Sequence, residues 1–178
     1  MALWISLALI AILLVYVVGL YNRLVSFRQR VRQAWSDVNV QMKRRYDLIP
    51  NLVETVKGSA SHETSTLEEV VSARNAAIAA DPSSPQAKAA SERTLGSALG
   101  GLFALAESYP ELKANENFLG LQHELTDTEN RIQSSRRFYN GAVKELNTAI
   151  QSFPGNLLAG AFHFRQEDFF ELDRAESA

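Results

Sequence analysis

The sequence contains no cysteine and only three histidines, at positions 62, 123 and 163. The absence of cysteine excludes disulfides, cysteine-type zinc sites and thiol catalysis. Without cysteine, the sequence does not indicate whether the protein resides in an oxidising or a reducing compartment. An excess of positive charge is also lacking, because 18 lysines and arginines face 20 acidic residues. This balance excludes a generic basic nucleic-acid-binding protein, so we predict no nucleic-acid partner.

Sequence motifs for catalysis are absent as well. The chain has no G-x-G-x-x-G, no Walker pattern and no G-x-S-x-G elbow. Di-iron bundles use Glu-x-x-His, but Ser59 stands three residues before His62 and Gly120 three before His123. We therefore predict that the protein is not an enzyme and that it has no cofactor, no metal site and no small-molecule substrate.

A long uncharged run lies near the N-terminus. Residues Ala2 to Leu20 contain no charged residue and no proline. A helix of this run is about 28 Å long, which matches a hydrocarbon core of roughly 30 Å. A cleaved signal peptide is the alternative, but no Lys or Arg precedes the run and no A-x-A pattern follows it. We predict an uncleaved membrane anchor over 1–20 and a helical bundle domain over 21–178.

Arginines follow the apolar run closely, at Arg23, Arg28, Arg30 and Arg32. The positive-inside rule predicts that this side of the membrane, and the chain after it, is cytoplasmic. Segment 21–58 has 8 positive and 3 negative residues, whereas segment 59–178 has 10 positive and 17 negative. The basic part thus lies next to the bilayer, which suits attraction to anionic headgroups. The alternative is that these arginines merely solvate one helix face.

The remaining chain is rich in Ala, Leu, Glu, Gln and Arg, which are good helix formers. Apolar residues recur at helical spacing, without β alternation, in four segments: 21–48, 50–80, 86–107 and 118–153. Pro50 predicts a kink or restart near Asp47–Pro50, and Ser84 before Pro85 predicts a helix start. The predicted fold class is all-α, with an N-terminal transmembrane helix followed by a long antiparallel up-and-down helical bundle.

Polar residues interrupt these apolar stripes at four positions. Gln41 and Arg45 lie on the stripe of the first segment, and Thr128 and Ser135 on that of the fourth. Buried polar groups need partners, and a buried charge is costly unless it is paired. We expect a buried polar layer whose further members come from nearby polar residues: Asp47, Asn51, Glu54 and Glu63. Such a layer either fixes the helix register or forms a ligand or partner site.

The C-terminal tail is rich in phenylalanine, at Phe162, Phe164, Phe169 and Phe170. Clusters of exposed phenylalanine are rarely left bare. We therefore expect the tail to be a strap that closes the open end of the bundle. Contact with a partner or with the membrane is the alternative.

With these residues in view, the chain resembles the LemA family. The similarity runs through YNRLVSFRQRVRQAWSDVNVQMKRRYDLIPNLVETVKG at 21–58 and resumes at 95–118, in LQHELTDTENRI and RRFYNGAV, and at Phe153-Pro154. The resemblance implies a bacterial single-pass protein of the cytoplasmic membrane, built from long helices. It implies no reaction.

Three functions follow from these observations. The leading hypothesis is a non-catalytic, membrane-anchored scaffold or adaptor that acts through self-assembly or through a protein partner. The alternative is a lipid-binding or membrane-shaping protein that uses its basic juxtamembrane helix. The third is an enzyme with an unfamiliar site, which would use Arg45, Asp47, Glu54 and Glu63.

Overall fold

The computed structural model describes residues 1–60 and 62–171, and within this part of the chain there are six helices and no strand. The helices are α1 (Ala2–Ser59), α2 (Thr64–Ala79), α3 (Pro85–Glu107), α4 (Pro110–Lys113), α5 (Glu116–Gln151) and α6 (Gly155–Ala161). The predicted all-α fold, with an apolar N-terminal helix that leads into a helical bundle, is confirmed. Residues 172–178 of the predicted bundle domain lie outside the described residues.

The chain divides into two compact units. Unit 1 consists of Met1–Ser36 and Phe138–Asp168, and unit 2 consists of Asp37–Arg137 and the residues from Phe169 onward. Helices α1 and α5 each continue from one unit into the other. The domain boundary at residue 20 stays a prediction, because α1 has no break there.

The apolar segment of α1 is long and apolar enough to cross a membrane, and the protein buries none of it. Its side chains, from Leu3 to Val18, are almost all exposed. A bilayer covers apolar helix surface of this length, whereas water does not. The segment therefore anchors the protein in a membrane.

In unit 1, α1 and α5 lie antiparallel. Leu24 belongs to a small apolar core, and Ala149 and Ile150 of α5 pack against this core. Further along α1, the ring centroid of Trp35 lies 5.0 Å from that of Tyr139. Later positions of α1 thus contact earlier positions of α5, as expected for antiparallel neighbours in an up-and-down bundle.

The chain after α6 lies along α5. The side-chain amide of Asn147 donates to the backbone O of Glu167 and accepts from its N, both at 2.9 Å. The hydroxyl of Tyr139 donates to the backbone O of Asp168 at 2.8 Å. The tail phenylalanines divide into a buried pair, Phe164 and Phe170, and an exposed pair, Phe162 and Phe169. Only half of the expected aromatic strap is therefore covered by protein.

In unit 2, α1 continues through Pro50 to Ser59, so a helix restart near Asp47–Pro50 is wrong, whereas a kink there stays a prediction. Proline has no N–H, which leaves the carbonyl four residues earlier without its helical donor. That carbonyl belongs to Tyr46, and Arg74 of α2 donates to it from Nε at 2.7 Å. A long side chain from another helix thus replaces the missing hydrogen bond, and the chain leaves the helix after Ser59 instead.

Helices α2 and α3 form a hairpin in unit 2. The predicted start of α3 is confirmed: Pro85 is its first residue, and the Ser84 hydroxyl accepts from Ala87 N at 3.2 Å. This cap satisfies one of the free N–H groups at the helix N-terminus. The core of unit 2 is formed by apolar side chains of α1, α2, α3 and α5: Val38, Met42, Ile49, Val70, Leu95, Leu102 and Ile132.

Candidate functional site

Arg45 is buried in unit 2, on the same face of α1 as Val38, Met42 and Ile49. Its Nη1 lies 2.7 Å from Oε2 of Glu129 on α5 and 3.3 Å from Oε2 of Glu92 on α3. The guanidinium therefore connects three helices. Charge-assisted bonds of this kind are stronger than bonds between neutral groups.

Glu92 is the buried acid at the centre of this site. One carboxylate oxygen accepts from Arg45, and the other accepts a hydrogen bond from the hydroxyl of Tyr46. Burial raises the pKa of Glu92, although Arg45, Tyr46 and Lys88 oppose the rise. Burial and the Glu92 carboxylate also raise the pKa of Tyr46, so its phenol stays protonated and donates.

Lys88 completes the site from α3, one turn before Glu92. Its Nζ is buried and donates to the backbone O of Ala77 at 2.6 Å, which satisfies a carbonyl near the end of α2. The same nitrogen lies 5.7 Å from the ring centroid of Tyr46. Burial lowers the pKa of Lys88, and the nearby carboxylates of Glu92 and Asp81 oppose this. We call Arg45, Tyr46, Lys88, Glu92 and Glu129 the Arg45 cluster.

The expectation that Asp47, Glu54 or Glu63 pairs with Arg45 is wrong, and Asn51 does not join the cluster either. Asp47, Asn51 and Glu54 are exposed, and Asp47 pairs with Lys43 at 2.8 Å. They follow Arg45 by two, six and nine residues, which at about 100° per residue places them about 180° to 240° around α1. Glu63 is half-buried and accepts from the hydroxyl of Tyr109 at 2.9 Å, which contributes to the raised pKa of that tyrosine.

The other residues of the predicted polar layer lie apart from the cluster's ion pairs. Thr128 is fully buried and donates to the backbone O of Glu124 at 2.8 Å, within its own helix. Ser135 and Gln41 are half-buried. Within the part of the chain that the structure describes, Gln41 Oε1 is buried and has no hydrogen-bond partner.

Four members of the cluster were not predicted: Tyr46, Lys88, Glu92 and Glu129. A signal for two of them was present, because the buried face of α3 continues from Leu95 back to Glu92 and Lys88 at spacings of three and four. This is the same periodicity that places Arg45 in the core. For Glu129 the only signal is its position beside Thr128, and it is only partly buried.

A groove of about 610 Å³ opens beside the cluster, between α3 and α5. Arg45, Glu92 and Glu129 line it together with apolar side chains such as Phe103. The groove runs past Gly96, where a Cβ would lie 3.5 Å from Nη2 of Arg45. The small side of α3 at Gly96 thus faces the guanidinium of Arg45.

Two of the four juxtamembrane arginines lie together, because Arg23 and Arg30 are both over the ring of Phe27, 5.3 and 5.7 Å from its centroid. Arg28 lies over the ring of Phe164, 4.8 Å from its centroid, and Arg30 Nη1 pairs with Glu145 Oε2 at 2.7 Å. Arg23 and Arg32 are exposed.

In residues 1–60 and 62–171, no group of three or more His, Asp or Glu side chains is placed to hold a metal ion. In the Arg45 cluster, both oxygens of Glu92 already accept hydrogen bonds from protein side chains. The arrangement therefore acts as a link between helices.

An apolar helix that crosses a membrane and continues into a bundle with a buried ion-pair cluster defines a class, the membrane-anchored α-helical bundle proteins. Within that class, the chain belongs to the LemA family, whose profile matches residues 34–178.

Relatives of the chain include two kinds of bacterial protein. Magnetosome protein MamQ 2 of Paramagnetospirillum magneticum is 25% identical over an alignment of 175 residues, which covers 85% of this chain and 64% of the relative. Magnetosome protein MamQ of Magnetospirillum gryphiswaldense is 25% identical, with 84% and 64% covered. Protein LemA of Metamycoplasma hominis is 26% identical, with 89% and 72% covered. The chain thus spans less than two thirds of the length of these MamQ proteins.

Proposed function

We propose that this protein is a non-catalytic scaffold of the bacterial cytoplasmic membrane, which α1 anchors and which acts through assembly with copies of itself or with a protein partner. The observation that carries the proposal is the internal pairing of the Arg45 cluster. Arg45 and Tyr46 of α1 both bind Glu92 of α3, and Lys88 binds the end of α2. Groups engaged in this way hold helices in register, which is the best-attested use of buried polar residues.

The relatives support this proposal in a limited way. Their names, magnetosome protein and LemA, do not refer to any reaction. We further propose that the chain after the anchor is cytoplasmic, because Arg23, Arg28, Arg30 and Arg32 follow the span directly. A reporter fused after Ala178 that is active only in the cytoplasm tests this orientation, and activity of a periplasm-specific reporter contradicts it.

The groove between α3 and α5 is the surface to test for assembly. A photo-crosslinking amino acid at Thr126, which is exposed and lines the groove, should give one discrete adduct in intact membranes. The matched control is Glu124, which is also exposed on α5 but does not line the groove. The adduct's mass distinguishes a second copy from another protein. No adduct at Thr126, or equal adducts at both positions, rejects the scaffold proposal for this surface.

Binding of anionic lipids by the juxtamembrane segment is the second candidate function. It is favoured by the exposed side chains of Arg23 and Arg32, one and three turns past the span. In nanodiscs of mixed lipid composition, replacing both arginines by glutamine should reduce the anionic lipid that surrounds the protein. Replacing the exposed Arg131 and Arg137 by glutamine is the control. Equal lipid composition around both variants removes this candidate.

A further inference from the structure

Helix α6 packs on α1 immediately after the membrane span. Ala159 of α6 shares a small core with Leu24 and Phe164, and Tyr21 packs against the same core. The ring centroid of Phe162, just after α6, lies 4.9 Å from that of Tyr21. The predicted span ends at Leu20, and the first charged residue after it is Arg23. Helix α6 therefore lies beside the first turn of α1 that leaves the bilayer.

Large apolar side chains of this segment remain uncovered by protein. Phe153 is 79% exposed, Leu157 64% and Phe162 52%. The sequence contains no Asp, Glu, Lys or Arg between Glu145 and Arg165. Isolated apolar residues on a surface are common, but three large exposed ones in a short uncharged segment mark a contact, and we call these three residues the apolar patch.

A groove of about 790 Å³ lies between Phe153, one of these three residues, and the membrane span. It is lined by Tyr16 and Leu20 of the span and by Phe153 after α5. Phe153 is thus level with the last turns of α1 that lie among the lipids. The groove is also lined by cationic side chains from the solvent side, which are those of Arg23, Arg30 and Lys144.

We propose that Phe153, Leu157 and Phe162 insert among the phospholipids of the same bilayer that α1 spans. The position of Phe153 beside Leu20 requires no movement of the protein to reach this bilayer. Aromatic and leucine side chains bind at the level of the headgroups and upper acyl chains, where amphipathic segments lie in the membrane plane. Arg23 and Lys144 then lie at the level of the lipid phosphates. Unit 1 has a second membrane contact besides its anchor.

The absence of cysteine makes a site-specific test direct. Leu157→Cys in the full chain is labelled with an environment-sensitive fluorophore and reconstituted at one copy per nanodisc. Leu119→Cys is the matched control, because Leu119 is also largely exposed but lies on α5 in unit 2. Lipids that carry a shallow nitroxide should quench the label at 157 severalfold more than the label at 119. Phe153→Cys repeats the measurement at a second position, and circular dichroism verifies that each variant folds.

Three other outcomes would overturn the proposal. Equal quenching at 157 and 119 means that the patch faces water. A label at 157 that is shielded from water yet unquenched by lipid means that protein covers the patch. The difference should persist in nanodiscs of zwitterionic lipid, because apolar side chains drive the insertion. If the quenching requires anionic lipid, the arginines bind the lipid headgroups without insertion of the apolar side chains, and the proposed insertion is wrong. None of these outcomes bears on the scaffold proposal.

Discussion

Arg45 in unit 2 and Arg30 in unit 1 both lie on α1, and both place a guanidinium nitrogen 2.7 Å from a carboxylate oxygen. The Arg45 side chain is 7% exposed, whereas that of Arg30 is 48% exposed. Coulomb attraction is weak in water and strong in a buried site, where losing one partner also leaves the other charge without solvent. The same distance therefore has different energetic consequences in the two units, and burial decides between them.

The largest expected effect comes from breaking the buried pair. Arg45→Ala leaves Glu92 buried without its cation, so we expect a loss of about 3–5 kcal/mol in the free energy of unfolding. Arg45→Met keeps the packing of the side-chain stem but removes the charge, so its loss should be nearly as large. Chemical unfolding of the full chain in micelles, followed by circular dichroism, measures both.

Arg44→Ala is the control for that experiment. Arg44 is exposed, and its loss should cost well under about 1 kcal/mol. If Arg44→Ala and Arg45→Ala give equal, small shifts, the guanidinium of Arg45 reaches solvent and the contrast between the units is wrong.

The next effect concerns Arg74, which supplies a hydrogen bond that α1 cannot supply itself. Arg74→Ala leaves the Tyr46 carbonyl without a donor, which should cost about 1–3 kcal/mol of unfolding free energy. Pro50→Ala restores an N–H to the helix at the required position. In the Pro50→Ala background, the cost of Arg74→Ala should therefore be smaller. Additive costs in the double-mutant cycle would show that the carbonyl does not depend on Arg74.

A pH titration tests the buried pair through its acidic member, Glu92. A carboxyl whose pKa is raised by folding binds its proton more tightly in the folded chain, so its contribution to stability increases as the pH falls through that pKa. The pKa of Glu92 is raised from 4.5 by burial. The parent should therefore gain stability relative to Glu92→Gln as the pH falls from neutral toward 4.5. The slope should not exceed about 1.4 kcal/mol per pH unit. Parallel unfolding curves, or a gain in the opposite direction, contradict the assignment.

The smallest effect is expected for the exposed pair of unit 1. Arg30→Ala should cost less than about 1 kcal/mol, and the cost should vanish at high salt, where exposed charges are screened. The cost of Arg45→Ala should change little over the same salt range. A salt-resistant loss for Arg30→Ala would mean that its pair with Glu145 is effectively buried.

Helical periodicity was sufficient to place Arg45 in the core, because it occupies the same stripe as Val38 and Met42. It was not sufficient to identify the partners. Glu92 and Glu129 are 47 and 84 residues away in sequence, and the packing of three helices sets their register with Arg45. The candidates near Arg45 in sequence, such as Asp47, lie on the opposite face of α1.

Pro50 shows the same difference between local and tertiary information. A rule for single residues predicts a kink or restart there, and the rule is sound for an isolated helix. The donor that preserves the helix comes from Arg74, on a helix that the chain reaches only after the next turn. By contrast, Ser84 and Pro85 act within one turn of each other, so the start of α3 could be predicted from sequence.

Lys88 has a chemical consequence. The other lysines, Lys43, Lys57, Lys113 and Lys144, are exposed and open to acylation, whereas the Lys88 amine is buried against the end of α2. An acylating reagent or an acetyltransferase therefore reaches Lys88 only when unit 2 opens. Once acylated, this amine has lost its charge and two of its donors, so it no longer binds the Ala77 carbonyl as before. The rate of Lys88 modification is thus a natural measure of how often unit 2 opens in the membrane-bound protein.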